Sequence, residues 1–397
     1  MKSGTTLVIL PGDAGGAPGI GPELELLGLP LVRRNVLSAA RAGIERVVVV
    51  TGTPEALAVP LEGTLAALRT PEEFSLPEGR VILLAGHVLA DSAWLRGLCT
   101  RPLARGAILL DEGPAALLEG TDLPARLLAR DCWRPGEGAF AALGEARTGT
   151  LDPEPTGRFV LQRSTDLEPA RKWLLERLIK SGDSALTRRV SRPISLAISR
   201  RLAPTRITPN QVTVVSILIG LAGTPFFLSL SPFWQTAGAL LLLVHNIVDG
   251  CDGELARLKF QSSHRGMILD LWGDNLVHAA LFSCMGLGWS LGIEAVWPLG
   301  LAVLAVAGTL VTAWLVYRQT LRTTLAGTAP QFSSVAQDRE TRLARFMSAL
   351  GNRDFLYGIF LLSLFGKAHW LLPLVAAGSP LFALGLVVLS RRSAPTA

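Results

Sequence analysis

Two hydrophobic rhythms divide the chain. As far as residue 180 the apolar runs are short and broken by charge: TTLVIL (5–10), RVVVVTG (46–52), RVILLAG (80–86) and AILLDEG (107–113) each have the length of a buried strand. Between the first two, PLVRRNVLSAARAGI (30–44) sets apolar residues at steps of three and four, the period of an amphipathic helix. Strand, helix, strand in that order predicts an α/β domain over 1–180 with a Rossmann-like parallel sheet. From residue 212 onward the runs reach about 20 residues, the length that crosses hydrocarbon. Six spans are predicted, at 212–230, 233–248, 267–288, 296–316, 355–369 and 371–389. The second half, 207–392, is therefore expected to be an all-α domain of six transmembrane helices.

Between the halves lies SALTRRVSRPISLAISRRLAPTRITPN (184–210), with arginines at 188, 189, 192, 200, 201 and 206. As a helix over 184–206 it would lie in the headgroup layer, arginines on anionic lipid and Leu and Ile side chains dipping inward; the alternative is a solvated surface helix. Lys and Arg orient the spans. One set of connections carries Arg257, Lys259 and Arg265, then Arg318, Arg322, Arg339, Arg342, Arg345 and Arg353, then Arg391 and Arg392, against only Lys367 on the other. Positive charge gathers on the cytoplasmic side, so the N-terminal domain and the C-terminus are expected in the cytoplasm of a multi-pass cell-membrane protein. Trp234, Trp289, Trp297 and Trp370 fall at the opposite ends of the spans, where an aromatic belt sits. The opening MKSGTTLVILPGD has too short an apolar stretch for a secretory leader.

Composition agrees with this mixture: 49% of the 397 residues are hydrophobic and 18% charged. The net charge of +6 gathers beside apolar runs, which points to lipid headgroups or phosphorylated substrates rather than nucleic acid. Cys99, Cys132, Cys251 and Cys284 lack the spacing of a disulfide framework or a zinc site.

The densest charge stands at the mouth of the spans, in VDGCDGELARLKFQSSHRGMILDLWGDN (248–275). Asp249 and Asp252 are three apart on one predicted helix, with Ala256 a turn further; Gly266, Asp270 and Asp274 repeat every four on the next. Each set shares a face. An ionised aspartate at the centre of a bilayer costs ~2.5–3.5 kcal/mol, so four without compensation burden the fold by roughly 10 kcal/mol. Oxygen ligands with no thiolate cluster select Mg²⁺ or Mn²⁺, and four carboxylates suit two ions. The plainer alternative pairs the acids with Arg257, Lys259 and Arg265 at a surface. Gly253, Ala256 and Gly266 remove bulk beside the acids, so that a phosphorylated ligand or the facing helix approaches closely. Arg257 adds a fixed cation, and metals with arginine beside small residues describe a diphosphate site. His245 and His278 lie one turn outside the acids, where packing and a hydrogen bond to a carboxylate are the two readings; Cys251 points to another face.

The arrangement Asp249-x2-Asp252-Gly253-x2-Ala256-Arg257-x8-Gly266-x3-Asp270-x3-Asp274 resembles the signature of the CDP-alcohol phosphotransferases at every fixed position, and ITPNQVT (207–213) resembles that family's approach to its first span. The resemblance implies a six-helix membrane enzyme in which an alcohol attacks the β-phosphate of a CDP-alcohol and CMP leaves. Asp249, Asp252 and Asp270 would hold metal, and Asp274 would share in holding it and act as the base. Asn210, Thr213, Gly253, Ala256, Arg257 and Gly266 would bind the CDP group. The partners implied are a CDP-alcohol donor, an alcohol or alcohol-phosphate acceptor, membrane lipids and a second copy of the chain. Arg265, Arg318 and Arg353 stand where they would reach a phosphate on the acceptor, or simply anchor the helix ends.

The first half resembles, more distantly, the sugar-type nucleotidyltransferases, through TTLVILPGD, LGLPLVRRNVLSAARAGIERVVVVTG and FVLQRSTDLEPARKWLLERL. Together the halves resemble the bifunctional inositol-1-phosphate cytidylyltransferase/di-myo-inositol phosphate phosphate synthases. That resemblance implies CDP-inositol with inositol phosphate as substrates; the membrane half alone implies equally CDP-diacylglycerol with a polar alcohol. Yet PGDAGGAPGIGPELELLGLP (11–30) has the glycines of a phosphate loop and no basic residue. His87 stands where those enzymes have a metal-binding aspartate, and Leu161 or Arg163 at the later acidic position; a shifted alignment would offer Asp13 or Asp91 instead. The N-terminal domain is therefore expected to be catalytically silent, the alternative being one that makes the CDP-alcohol from CTP. A transporter or a non-enzymatic scaffold would also carry intramembrane acids, but internal repeats are not evident, and Asp274 is intact.

Overall fold

The computed structural model describes residues 4–10, 20–111, 115–119, 138–151, 157–180, 182–325 and 355–392. It divides into two compact units, Met1–Glu176 and Arg177–Ala397.

The first unit is built on a seven-stranded sheet of β1 (Thr6–Leu10), β2 (Arg46–Val50), β3 (Ala66–Arg69), β4 (Arg80–Ala85), β5 (Ile108–Leu110), β6 (Ala115–Glu119) and β7 (Gly149–Thr150). The spatial order is β7-β5-β6-β4-β1-β2-β3. β1 runs parallel to both β2 and β4, β2 to β3, and β5 to β7. The sheet is not wholly parallel: β6 pairs antiparallel with β4 and with β5. The four residues between β5 and β6 are too few for a crossover, so the two strands pair antiparallel. Helices α1 (Leu31–Ala42), α2 (Pro54–Leu61), α3 (Ser92–Thr100), α4 (Gly138–Glu145) and α5 (Leu167–Glu176) complete the unit. Alternation sorts the strand residues. Leu7, Ile9, Val47, Val49, Ile82 and Leu84 pack with Val32, Val36 and Leu95 on one face, while Val8, Leu10, Val48, Val50 and Leu83 pack with Ala139 and Leu143 on the other. Buried on both faces, such strands are the continuous apolar runs seen in the sequence.

The second unit is helical: α6 (Arg192–Leu202), α7 (Pro209–Gly223), α8 (Pro232–Leu258), α9 (His264–Ile293), α10 (Trp297–Leu325), α11 (Phe355–Ser363) and α12 (Leu371–Arg392). Four segments among the described residues are long and apolar enough to cross a membrane: Pro209–Leu228, His264–Ile293, Trp297–Gln319 and Ala368–Val387. They coincide with the first, third, fourth and sixth expected spans. The segment expected as the second lies in the 27-residue α8, whose last ten residues include Asp249, Asp252, Glu254 and Arg257. That expected as the fifth is helical only over the nine residues of α11 before a break at Gly366, whose φ is +67°. Nine helical residues rise only about 14 Å. Trp289 packs edge-on against Trp297 at one end of the bundle, and Trp234, Trp297 and Trp370 are exposed.

The structure revises the expected headgroup helix in one respect. α6 does expose Ile194, as does the preceding turn Val190, but its buried face is Arg192, Ser195 and Ser199, and Arg192 turns inward rather than toward lipid.

Small residues let the helices close. A Cβ at Gly288 of α9 would stand 2.4 Å from the carbonyl oxygen of Phe227 and 2.7 Å from that of Leu228, both main-chain atoms that cannot swing aside. Gly288→Ala is expected to cost ~1–3 kcal/mol through overpacking. Thermal unfolding in detergent measures it, and an unchanged midpoint would contradict this packing.

Candidate active site

The site is made by a helix reversal. α8 ends at Leu258, and Phe260, in the left-handed region at φ +58°, turns the chain while the Gln261 N–H bonds back to the Ala256 carbonyl at 2.9 Å. Ser263 then caps α9 by accepting from the Gly266 N–H at 3.0 Å. Counting from this turn at 1.5 Å per residue, Asp252 and Asp270 both lie ~9 Å along their helices, and Asp249 and Asp274 both lie ~14–15 Å along. Antiparallel helices thus bring the acids level in pairs.

Oxygens of Asp249, Asp270 and Asp274 all lie within 4.8 Å of one another. Asp249 is buried and the other two are half-buried. Two charges at that separation repel by roughly 3–4 kcal/mol at an effective dielectric of about 20, so the group is suited to a cation. Ligands on opposite sides of one Mg²⁺ lie about 4.2 Å apart, and paired ions stand about 3.5–4 Å apart. The donor set, all carboxylate oxygens, has the chemistry of a hard divalent-cation site.

The fourth acid, beside these three, has a partner of its own on a third helix. Asp252 accepts a hydrogen bond from the Thr213 hydroxyl of α7. Thr213, expected against the nucleotide, is buried and holds Asp252. ITPNQVT proves to be a helix start: Thr208 and Gln211 form a capping box, with Thr208 N–H to Gln211 Oε1 at 2.9 Å and Gln211 N–H to Thr208 Oγ1 at 3.4 Å, and Pro209 fills the first position. Lys259 fixes the approach, its ammonium donating to the carbonyls of Thr205 and Ile207 at 2.7 Å each. It holds backbone, not lipid. Asn210 is exposed beside Gly266, where a Cβ would come within 2.7 Å of its Oδ1. A Cβ at Gly253 would meet the Arg257 guanidinium at 3.3 Å. The two glycines therefore admit protein neighbours. Arg257 also donates to the Leu178 carbonyl at 3.3 Å, and Ala256 is half-buried on the same helix. Arg265 is exposed, Arg318 is exposed with its guanidinium 5.4 Å from the Trp314 ring, and Arg353 lies outside the described residues.

Sequence reasoning missed Glu254. Its carboxylate is wholly buried and accepts from Arg192 Nη1, Ser195 Oγ and Ser199 Oγ, each at 2.7 Å. Arg192 reaches further, donating from Nε and Nη2 to the two oxygens of Asp183 at 2.8 and 3.0 Å. Burial pushes the Asp183 carboxyl up, but the hydrogen bonds and charge of Arg192 prevail and hold it below its ordinary value. A signal existed: Arg192, Ser195 and Ser199 form a polar stripe at helical spacing, opposite an acid that no motif required. His245 is buried, with Nδ1 2.8 Å from the Ser216 carbonyl and Nε2 3.8 Å from Asp274 Oδ1. His278 packs among rings, 5.3 Å from Phe355 and 6.2 Å from Phe282. Cys251 is buried against the Ser195 and Ile247 carbonyls.

In the first unit His87 is buried and its pKa is lowered by that burial. Leu161 is fully buried among Leu26, Leu31 and Leu89. Arg163 begins the short turn before α5. Asp91 caps α3, accepting from the Ala93 N–H at 3.4 Å, and Asp13 lies outside the described residues. A buried acid does stand just past the end of β5, but Asp111 is paired with Arg158.

Comparison with known proteins completes the description. Residues 206–351 match the family described as CDP-alcohol phosphatidyltransferase. A segment of 137 residues, 34% of the chain, is 34% identical to a protein of Aquifex aeolicus named bifunctional IPC transferase and DIPP synthase, and spans 31% of that relative's length. A segment of 182 residues, 46% of the chain, is 29% identical to the archaetidylinositol phosphate synthase of Pyrococcus horikoshii and covers 88% of it. Among solved structures, the Mycobacterium tuberculosis phosphatidylinositol phosphate synthase in complex with manganese and citrate is 19% identical, with a TM-score of 0.32, covering 49% of this chain and 88% of that one.

Removing one partner from a buried pair costs about 3–5 kcal/mol. Because Asp183 still engages Arg192, Glu254→Ala is expected near the lower figure. Thermal unfolding and protease cleavage within 184–206 measure it; wild-type stability and resistance would mean that Glu254 does not hold α6.

Proposed function

We propose, from the match of residues 206–351 to the CDP-alcohol phosphatidyltransferase family, that the chain is a membrane-embedded enzyme that transfers a phosphoalcohol group from a CDP-alcohol to a hydroxyl acceptor and releases CMP. The observation that carries the reading is the meeting of Asp249, Asp270 and Asp274 within 4.8 Å, on two helices bearing the family's spacing. These three, with Asp252 beside them, would hold two ions, Mg²⁺ or Mn²⁺. When bound, such ions neutralise the diphosphate and stabilise the departing CMP.

The chain's own groups do the rest. Asp274 takes the proton of the acceptor hydroxyl as its oxygen bonds to the β-phosphorus, and the bridging P–O bond breaks toward CMP. Thr213 keeps Asp252 in place, and Arg257, laid over Gly253, supplies a fixed cation beside the diphosphate. Asn210, Ala256 and Gly266 line the approach of the CDP group. Arg265, Arg318 and Arg353 are the acceptor-side cations, suited to a phosphorylated alcohol. Both substrate pairs stand: the name of the Aquifex aeolicus relative favours CDP-inositol with inositol phosphate, and that of the Pyrococcus horikoshii relative, which names a lipid product, favours a CDP-linked lipid with a polar alcohol. Six crossings, with α8 and α11 as the second and fifth, would leave the first unit and the C-terminus in the cytoplasm, α6 at the headgroups, and a face for a second copy of the chain.

The first unit is proposed to be catalytically silent. His87 is buried, Leu161 is sealed in an apolar cluster and Asp111 is engaged by Arg158, which leaves these positions without a carboxylate pair for metal.

Two measurements test the reading. Purified protein with Mg²⁺ or Mn²⁺ should release CMP from one member of a panel of CDP-alcohols and alcohol phosphates. Asp274→Asn should lower that release at least ~10³-fold, as loss of a general base with its electrostatic role does, while the variant stays folded; undiminished release would remove Asp274 from the reaction. Given CTP, Mg²⁺ and the same alcohol phosphates, the full chain should liberate no pyrophosphate, and measurable pyrophosphate would overturn the silent unit.

A further inference from the structure

We infer that the segment 178–183 is a positioning element for the donor site: the main-chain carbonyl of Leu178 holds the Arg257 guanidinium in place. The inference rests on the reading of Arg257 as the cation beside the diphosphate. The second unit begins at Arg177, so Leu178 stands at its very start, 79 positions before Arg257. It lies in a turn and yet is only 7% exposed. Arg257 Nη2 donates to its carbonyl at 3.3 Å. The other terminal nitrogen lies over Gly253, where a Cβ would come within 3.3 Å of Nη1, and Gly253 directly follows Asp252. A guanidinium is planar and rigid, so a contact on each of its two ends fixes the orientation of the whole group. A cation already held in one orientation loses less freedom when a diphosphate arrives.

The segment is fastened at its far end as well. Asp183 accepts from Nε and Nη2 of Arg192 at 2.8 and 3.0 Å, and Nη1 of the same arginine donates to Glu254 at 2.7 Å. Glu254 precedes Arg257 by three residues, so both grips fall on one face of α8. Between them the Lys180 N–H donates to Asp183 Oδ2 at 3.1 Å, and the Lys180 carbonyl accepts from Arg188 Nη2 at 3.3 Å. Arg188, Arg192 and Arg257 thus grip one short stretch of chain, two of them by its main-chain oxygens. A plain spacer leaves its backbone to water. This one is bonded, directly and through Arg192, to the helix that carries Asp249 and Asp252. Leu178 would act on the diphosphate only through Arg257, which makes it a positioning residue.

Three variants of the purified full chain separate positioning from packing: Arg257→Lys, Leu178→Ala and Leu178→Met. For each, Mn²⁺ affinity, affinity for CDP at saturating Mn²⁺, donor KM for CMP release and thermal unfolding are measured. CDP serves as the probe because the donors share it. Arg257→Lys should weaken CDP binding ~10–100-fold, the weight of a hydrogen bond to a charged group. Leu178→Ala unseats the carbonyl, and should weaken CDP binding and raise the donor KM ~3–10-fold, the net weight of one ordinary hydrogen bond. Mn²⁺ affinity should stay at the wild-type value, since the acids keep their places. Leu178→Met conserves the buried volume and should restore both readings. A Leu178→Ala variant with wild-type CDP affinity and KM overturns the inference, and so does one whose losses fall equally on Mn²⁺ and CDP alongside a lowered unfolding temperature. If Leu178→Ala does not fold, Asp183→Ala takes its place, with Asp183→Glu as its conservative partner, because Glu254 still engages Arg192 there. Wild-type protein that binds no CDP, or an Arg257→Lys variant that binds it as well as wild type, overturns the placement of Arg257 and this inference with it. CDP binding needs no turnover: wild-type protein that binds CDP but releases no CMP refutes the phosphotransferase reading, while the affinity comparison still decides the role of Leu178.

Discussion

Carboxylates crowded between two antiparallel helices repel one another, and that repulsion sets the terms for the rest of the second unit. Asp249, Asp270 and Asp274 come within 4.8 Å in surroundings largely closed to water, where water screens little of the charge. The arrangement persists only because other forces fix the helices. The left-handed turn at Phe260 and the Ser263 cap lock the reversal, Lys259 ties the end of α8 to the approach of α7, and Thr213 carries a hydroxyl to the acid nearest that helix. The excess negative charge is then what a divalent cation and a diphosphate would meet.

Buried charge is handled in two contrasting ways within a few residues of α8. Glu254 is balanced internally: three donors converge on it, and Arg192 spans the distance to a second acid, Asp183. Such a closed network needs nothing from outside and fixes α6 against α8. The group around Asp249 instead gathers three acids from two helices within 4.8 Å. In the first unit Asp111 follows the closed pattern, paired with Arg158 just beyond the sheet. An acid already neutralised by arginine offers little to a metal, which separates the structural carboxylates from those read here as chemical.

Some disagreements between expectation and structure have a common cause. The helix of the expected span at 233–248 runs on through the acids to Leu258, as the spacing of Asp249, Asp252 and Ala256 required, because hydropathy marks where apolar side chains stop while hydrogen bonding decides where a helix does. The antiparallel β6 was invisible because strand direction depends on a connection, and periodicity describes only the strand itself. Thr213, Gly253 and Gly266, expected beside a ligand, also stand against protein neighbours, which spacing along one element does not disclose.

The sequence by itself determined the division into an α/β half and a helical half, four of the apolar spans, and the two acidic faces, since each follows from periodicity along a single element. The three- and four-residue spacings place Asp249 with Asp252, and Asp270 with Asp274, however the chain is packed. Tertiary structure decided which acids meet across helices, that Asp252 is held by Thr213, that Glu254 is a buried anchor, and that His245 faces Asp274 while His278 packs among rings. Those outcomes depend on distances between residues far apart along the chain, 62 positions in the case of Arg192 and Glu254. Local pattern carries no record of such distances, because they are fixed by how helices settle against one another and not by the order of side chains along any one of them.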